Sequence, residues 1–139
     1  MKRVKQHTSK TRQELLNNTV KHFNLGNRSY GNNKCLYDSP NGMACGIAIE
    51  CKPSLRRQFI EGDGIAKVGN GDNGDNFSIL PNRLKRMGSD FLGRIQTLHD
   101  TEEYWTRMGL SISGDGEVKE ICEIYSLEHP NDNKSAQLK

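Results

Sequence analysis

Apolar residues recur at helical spacing in three stretches of this chain. Leu15, Leu16, Thr19, Val20 and Phe23 follow Thr11-Arg12-Gln13-Glu14. That tetrad fits a capping box, in which the Thr11 hydroxyl accepts a backbone N–H and Glu14 reaches back. The pattern predicts a first helix running to Gly26, a residue that tolerates the left-handed conformation that ends helices. Residues 77–108 read as mainly helical, with a break near Gly88-Ser89 and Ser89 as the cap of the longer piece. On a helical wheel Phe91, Ile95, Leu98, Trp105 and Met108 form one stripe. Glu102 falls inside it and His99 lies at its edge, close enough to pair. A last helix is expected from near Asp115, burying Val118, Ile121, Cys122 and Tyr125.

Between the first two helical stretches the period changes. Cys35-Leu36-Tyr37-Asp38-Ser39-Pro40-Asn41-Gly42-Met43-Ala44-Cys45-Gly46 is a strong turn signal with a cysteine on each side. Pro40 presets the first central position of a turn, and Gly42 accepts positive φ. The best-fitting hairpin has the loop Pro40-Asn41-Gly42 with Gly42 as bulge residue. Ser39 then opposes Met43, Tyr37 opposes Cys45, and alternation puts Cys35, Tyr37 and Cys45 on one face. Ile47-Ala48-Ile49 either continues the second strand or begins a short helix. A short helix over residues 54–61, ended by Gly62, and an exposed loop over residues 62–76 complete the reading.

The expected fold is a small, mainly helical α+β domain with a short β-hairpin. At 139 residues the chain has the size of one domain, here placed at residues 11–129. Residues 1–10 are expected to be a mobile basic segment and residues 130–139 a mobile polar tail. Only 33% of the chain is hydrophobic, which implies a modest core. No apolar run has the length of a membrane span, and the basic start leads into no apolar segment, so neither a membrane protein nor a secretory signal is expected. The four cysteines are then expected to be reduced thiols. The net charge of +3 does not by itself imply nucleic acid. It is uneven: Lys2, Arg3, Lys5, Lys10 and Arg12 crowd one end, and Arg83, Lys85, Arg86 and Arg94 form a second cluster. Either is a solvated face or a nucleic-acid contact.

Reactive side chains gather mainly around the turn. Gly69-Asn70-Gly71-Asp72-Asn73-Gly74 matches G-x-G-x-x-G but lacks the strand, helix and acidic residue of a dinucleotide site. Counting 12 residues from Asp72 reaches Arg83, so the calcium-loop rule fails. Cys35, Cys45, Cys51 and His99 are donors of the right softness for zinc, but no C-x-x-C knuckle is present, and no metal or other cofactor is expected. A cysteine nucleophile, Cys45 or Cys35, would need His99 to make its thiolate and Glu102 or Asp100 to orient the ring. The structural alternative pairs His99 with Glu102 under Trp105 and buries Tyr37 and the cysteines; Cys122 belongs to the core. Trp105 is expected to anchor the core and Tyr104 to face a partner.

Cys35-x-Tyr37, Pro40-x-Gly42-x-x-Cys45, Glu61-Gly62, Leu98-His99-Asp100 and Trp105 together resemble a diffuse family of small proteins encoded by bacteriophages and prophages. The resemblance covers roughly residues 12–110. Its usual Ala-Val-Gly continuation is replaced here by Gly46-Ile47-Ala48-Ile49. The resemblance implies an accessory protein in the bacterial host cytoplasm that binds a host or defence protein, with Tyr37, Asp100 and Tyr104 as contact candidates. A small cysteine/histidine- or zinc-dependent enzyme and a nucleic-acid-binding module are the alternatives.

Overall fold

The computed structural model describes residues 6–23, 30–31, 34–35, 46–56, 58 and 75–130. Among them the fold is mainly helical with short antiparallel strands, a small α+β architecture. None of the described helices is long and apolar enough to cross a membrane.

The first helix, α1, spans Arg12–His22. Thr11 caps it as expected, its hydroxyl accepting the Glu14 N–H at 3.1 Å. Leu15, Leu16, Thr19 and Val20 are buried along one face. The helix stops before Gly26. Phe23 is already extended, at φ −88° and ψ 148°, and its ring is buried. Residues 6–10 are not a loose lead-in: Ser9 is fully buried and the His7 N–H donates to Ile49 O at 2.8 Å.

Strands β1 (Tyr30–Gly31) and β2 (Lys34–Cys35) pair antiparallel, Tyr30 with Cys35 and Gly31 with Lys34. Cys35 is thus on a strand, but in a hairpin that the turn around Pro40 did not announce. The expected partners Tyr37 and Cys45, and the loop Pro40-Asn41-Gly42, lie outside the described residues. The chain re-enters at Gly46 and forms a 3-10 turn over Ala48–Glu50, choosing the short helix over a continued strand. Helix α2 covers Pro53–Arg56, starting on a proline whose missing N–H costs nothing in a first turn.

Helix α3 (Asp75–Ser78) begins inside the stretch expected as loop, and α4 spans Asn82–Lys85. Helix α5 runs Ser89–Asp100. Gly88, at φ +93°, occupies the cap position, so Ser89 is the first helical residue rather than the cap. Phe91, Ile95 and Leu98 are buried as the stripe predicts. The helix does not continue to Met108. Thr101 is extended, residues Glu102–Tyr104 form a 3-10 turn, and β3 (Trp105–Thr106) pairs with β4 (Gly109–Leu110). The wheel therefore misplaces three residues. Trp105 reaches the core from a strand, its indole N–H donating to Leu98 O at 2.8 Å. Met108 is 96% exposed at the hairpin turn, and Glu102 is exposed.

Helix α6 spans Ile112–Tyr125, three residues earlier than expected at its start. Ser111 caps it by accepting the Gly114 N–H at 3.0 Å. Val118 and Ile121 are buried, whereas Cys122 and Tyr125 are only half-buried. A single cluster joins Leu15 and Leu16 of α1 to Ile47, Leu84, Phe91 and Ile95. Helices α1 and α6 both pack on α5.

Candidate functional site

Helix α5 ends in the residues that the sequence marks for chemistry. His99 is fully buried, and its Nδ1 lies 2.8 Å from Asp100 Oδ1. Gln96 donates to the same carboxylate oxygen at 3.0 Å. The expected His99–Glu102 pair is replaced by this neighbour pair, because Glu102 has left the helix and points away into solvent. The wall over His99 is Gly46. A Cβ at that position would sit 3.0 Å from His99 Cβ, so a larger residue there would need the histidine to shift by a few tenths of an ångström. Cys45 precedes Gly46 in the sequence but lies outside the described residues, as does Tyr37. Cys51, another of the zinc-donor candidates, is buried, with its Sγ 3.8 Å from Ile47 O.

The other face of His99 belongs to a ring array. Phe23 stands edge-on to it at 4.6 Å between centroids, His22 meets Phe23 at 4.6 Å, and His7 meets His22 at 4.9 Å. Burial, then the proximity of His7 and of His99, holds the His22 ring down at a pKa of about 4. Its neutral form is the one that the folded chain accommodates.

Beside this array lies a buried ion pair that nothing in the sequence pattern signalled. Glu50 is fully buried, and Arg83 Nη1 reaches its Oε1 at 2.9 Å while Nη2 donates to the Glu50 carbonyl. Ser9 satisfies both carboxylate oxygens, through its N–H at 2.7 Å and its hydroxyl at 2.6 Å. Asn18 in turn donates to the Ser9 hydroxyl at 2.7 Å. A buried carboxylate so surrounded is affordable only because each oxygen is matched.

A shallow groove of about 510 Å³ separates α5 from α6 and is lined by Asp90, Arg94, Thr97, Tyr104, Glu117 and Glu120, with Gly93 between them. Arg94 pairs with Glu117 at 3.6 Å and Glu120 at 3.9 Å. Tyr104, expected to face a partner, is half-buried here, and its hydroxyl is pushed up in pKa by burial and by Glu117. Among the exposed apolar residues, Met108 and Ile112 are 96% and 95% exposed.

Three arginines of the two basic clusters make internal contacts, while Lys10 and Arg86 are exposed. Arg12 donates to Met87 O at 2.9 Å and lies over the rings of Phe91 and Tyr125. Arg83 serves Glu50, and Arg94 serves α6. Among the described residues, no group of three or more His, Cys, Asp or Glu side chains is arranged to hold a metal ion.

Comparison with protein-family models, with curated proteins and with solved structures finds no match to this chain.

Proposed function

We propose that the protein acts by stoichiometric binding to another protein, a host or defence protein of a bacterium. The observation that carries this reading is the stretch from the β3–β4 turn to the start of α6. Two large apolar side chains, Met108 and Ile112, are almost fully exposed there, while the rest of the described apolar set is covered or half-covered apart from Ile124. Their support is firm. Thr106 Oγ1 accepts the Met108 N–H at 3.1 Å, and the Ser111 N–H donates to Tyr104 O at 2.8 Å. Burying such a side chain against a partner contributes about 1.5–3 kcal/mol, and holding it rigid beforehand lowers the ordering cost of binding. Tyr104 adds an aromatic edge nearby.

The test is affinity capture from bacterial lysate by the full chain. A discrete partner should co-purify with the wild type and with Cys45→Ser, and should be lost with Met108→Glu or Ile112→Glu. Both glutamates replace exposed residues, so circular dichroism should be unchanged. Equal capture by wild type and both glutamate variants would remove this surface from the proposal.

A second reading is a small cysteine/histidine-dependent enzyme. The observation that favours it is the packing of Gly46 on His99, whose Nδ1 is already oriented by Asp100 at 2.8 Å. An imidazole so oriented is what a thiol nucleophile requires, and Cys45 immediately precedes Gly46 in the chain. Its signature would be alkylation of Cys45 well below the ordinary thiol pKa, slowed in His99→Gln. Ordinary thiol reactivity, identical in both proteins, would exclude it.

A further inference from the structure

The groove between α5 and α6 is built from two helical stripes. Asp90, Gly93, Arg94 and Thr97 stand at i, i+3, i+4 and i+7 on α5, and Glu117 and Glu120 at i and i+3 on α6. Tyr104, from the 3-10 turn, adds an aromatic wall. The space of about 510 Å³ can take a long side chain of another molecule. Three carboxylates line it against one guanidinium. Arg94 does not neutralise them all: it lies 3.6 Å from Glu117 and 3.9 Å from Glu120, beyond hydrogen-bond length. Asp90 takes the Tyr125 hydroxyl instead. Burial, then Glu117, Glu120 and Glu103, push the Tyr104 hydroxyl up in pKa, as a negative field at that wall does. The imbalance extends along both helices. From Ser89 to Glu128 the chain has nine Asp or Glu against three Lys or Arg, a net −6 within a protein of net +3.

Building on the reading that the protein binds another protein, we propose that the α5–α6 groove receives an arginine side chain from a basic segment of that partner. Charge complementarity selects a cation, and the lining selects arginine over lysine. Two carboxylates one helical turn apart suit the several donors of a planar guanidinium, and the Tyr104 ring offers a face for it to stack on. The exposed Thr97 hydroxyl is a further acceptor. Arg94 is the internal competitor, since it already sits against the two α6 carboxylates at loose range. A phosphate or nucleic-acid chain would meet the same three carboxylates and be repelled. The groove is also joined to the exposed apolar stretch through Tyr104. Its side chain lines the groove, while its carbonyl accepts the N–H of Ser111, the residue before Ile112. One turn therefore fixes both the cation-binding wall and the start of the apolar surface.

Chemical-shift titration of the full chain at low salt with the peptide acetyl-Arg-Leu-Arg-amide reads the groove directly. Its neutral citrulline analogue is the control. The Gly93 and Thr97 amides should move with the arginine peptide, and the citrulline peptide should bind on the order of tenfold more weakly. Glu117→Gln combined with Glu120→Gln should weaken the arginine peptide on the order of tenfold. Glu123→Gln combined with Glu128→Gln makes the same charge change away from the groove lining, and should alter binding by less than about twofold. Arg94→Gln should tighten binding by removing the competitor, which a merely structural ion pair would not do. All five side chains are exposed or half-exposed, so the variants should keep the fold. Equal weakening by the two double variants would assign the effect to overall charge and overturn the proposal. So would Gly93 and Thr97 amides that stay in place. A partner lost with Met108→Glu but captured undiminished by the Glu117→Gln, Glu120→Gln protein would overturn this inference and leave the binding reading standing.

Discussion

Two glycines of α6 and one buried carboxylate give the sharpest single-residue expectations. At Gly114 a Cβ would lie 2.1 Å from Tyr104 O, against backbone that cannot move aside. Gly114→Ala should therefore lower stability by about 1–3 kcal/mol, the usual cost of overpacking. At Gly116, two residues on, nothing lies within 4 Å, and the backbone is ordinary helix. Gly116→Ala should raise stability by about 0.5–1 kcal/mol. Urea midpoints of the pair test this, and a shift of the same sign in both would contradict the close contact. Glu50→Ala should cost about 3–5 kcal/mol, because it strands Arg83 and both Ser9 donors. The sequence made the apolar residues of this core legible, since Leu15, Phe91 and Ile95 recur with the helical period. It could not mark Glu50. A carboxylate between Ile49 and Cys51 has no periodicity that distinguishes a buried ion pair from a surface charge, and its partners Ser9 and Arg83 are distant in sequence.

Element boundaries followed capping chemistry more closely than they followed the wheel. Thr11 was readable as a cap because its hydroxyl and Glu14 stand at the right spacing, and the helix begins there. Ser111 has the same role at α6, but Asp115 competed for it in the sequence. Thr11→Ala and Ser111→Ala should each cost about 1 kcal/mol, seen as a lower denaturation midpoint with unchanged slope. The larger for Ser111 is expected, since its hydroxyl also donates to Glu103 O. The end of α5 was the main misreading. Trp105 and Met108 continue the apolar stripe in register, so periodicity alone extends the helix through them. Two features oppose this. Gly109 sits at φ +123°, which favours a turn, and Trp105 gains a bond from its indole to Leu98 O by folding back over the helix end. A tertiary contact of that kind has no local sequence signature. The same break carries Glu102 away from His99 and leaves Asp100 as its partner, so the candidate pair was right in kind and wrong in one member.

For the molecule as a whole, the histidine array couples stability to pH in a direction that the geometry fixes. His22 has a folded pKa of about 4, below its ordinary value of 6.5. Between those values the unfolded chain binds the proton and the folded chain does not. Stability is therefore complete above the ordinary histidine pKa, is lost as pH falls through this window, and stops changing on this account below about pH 4. The ring is only partly covered, so solvent screening reduces the effect to roughly 1–2 kcal/mol. This loss should appear as a falling urea midpoint from about pH 7 to about pH 4.5, and His22→Gln should flatten the slope over that interval. Carboxylates titrating in the same range act on wild type and variant alike, so the difference between the two curves isolates His22.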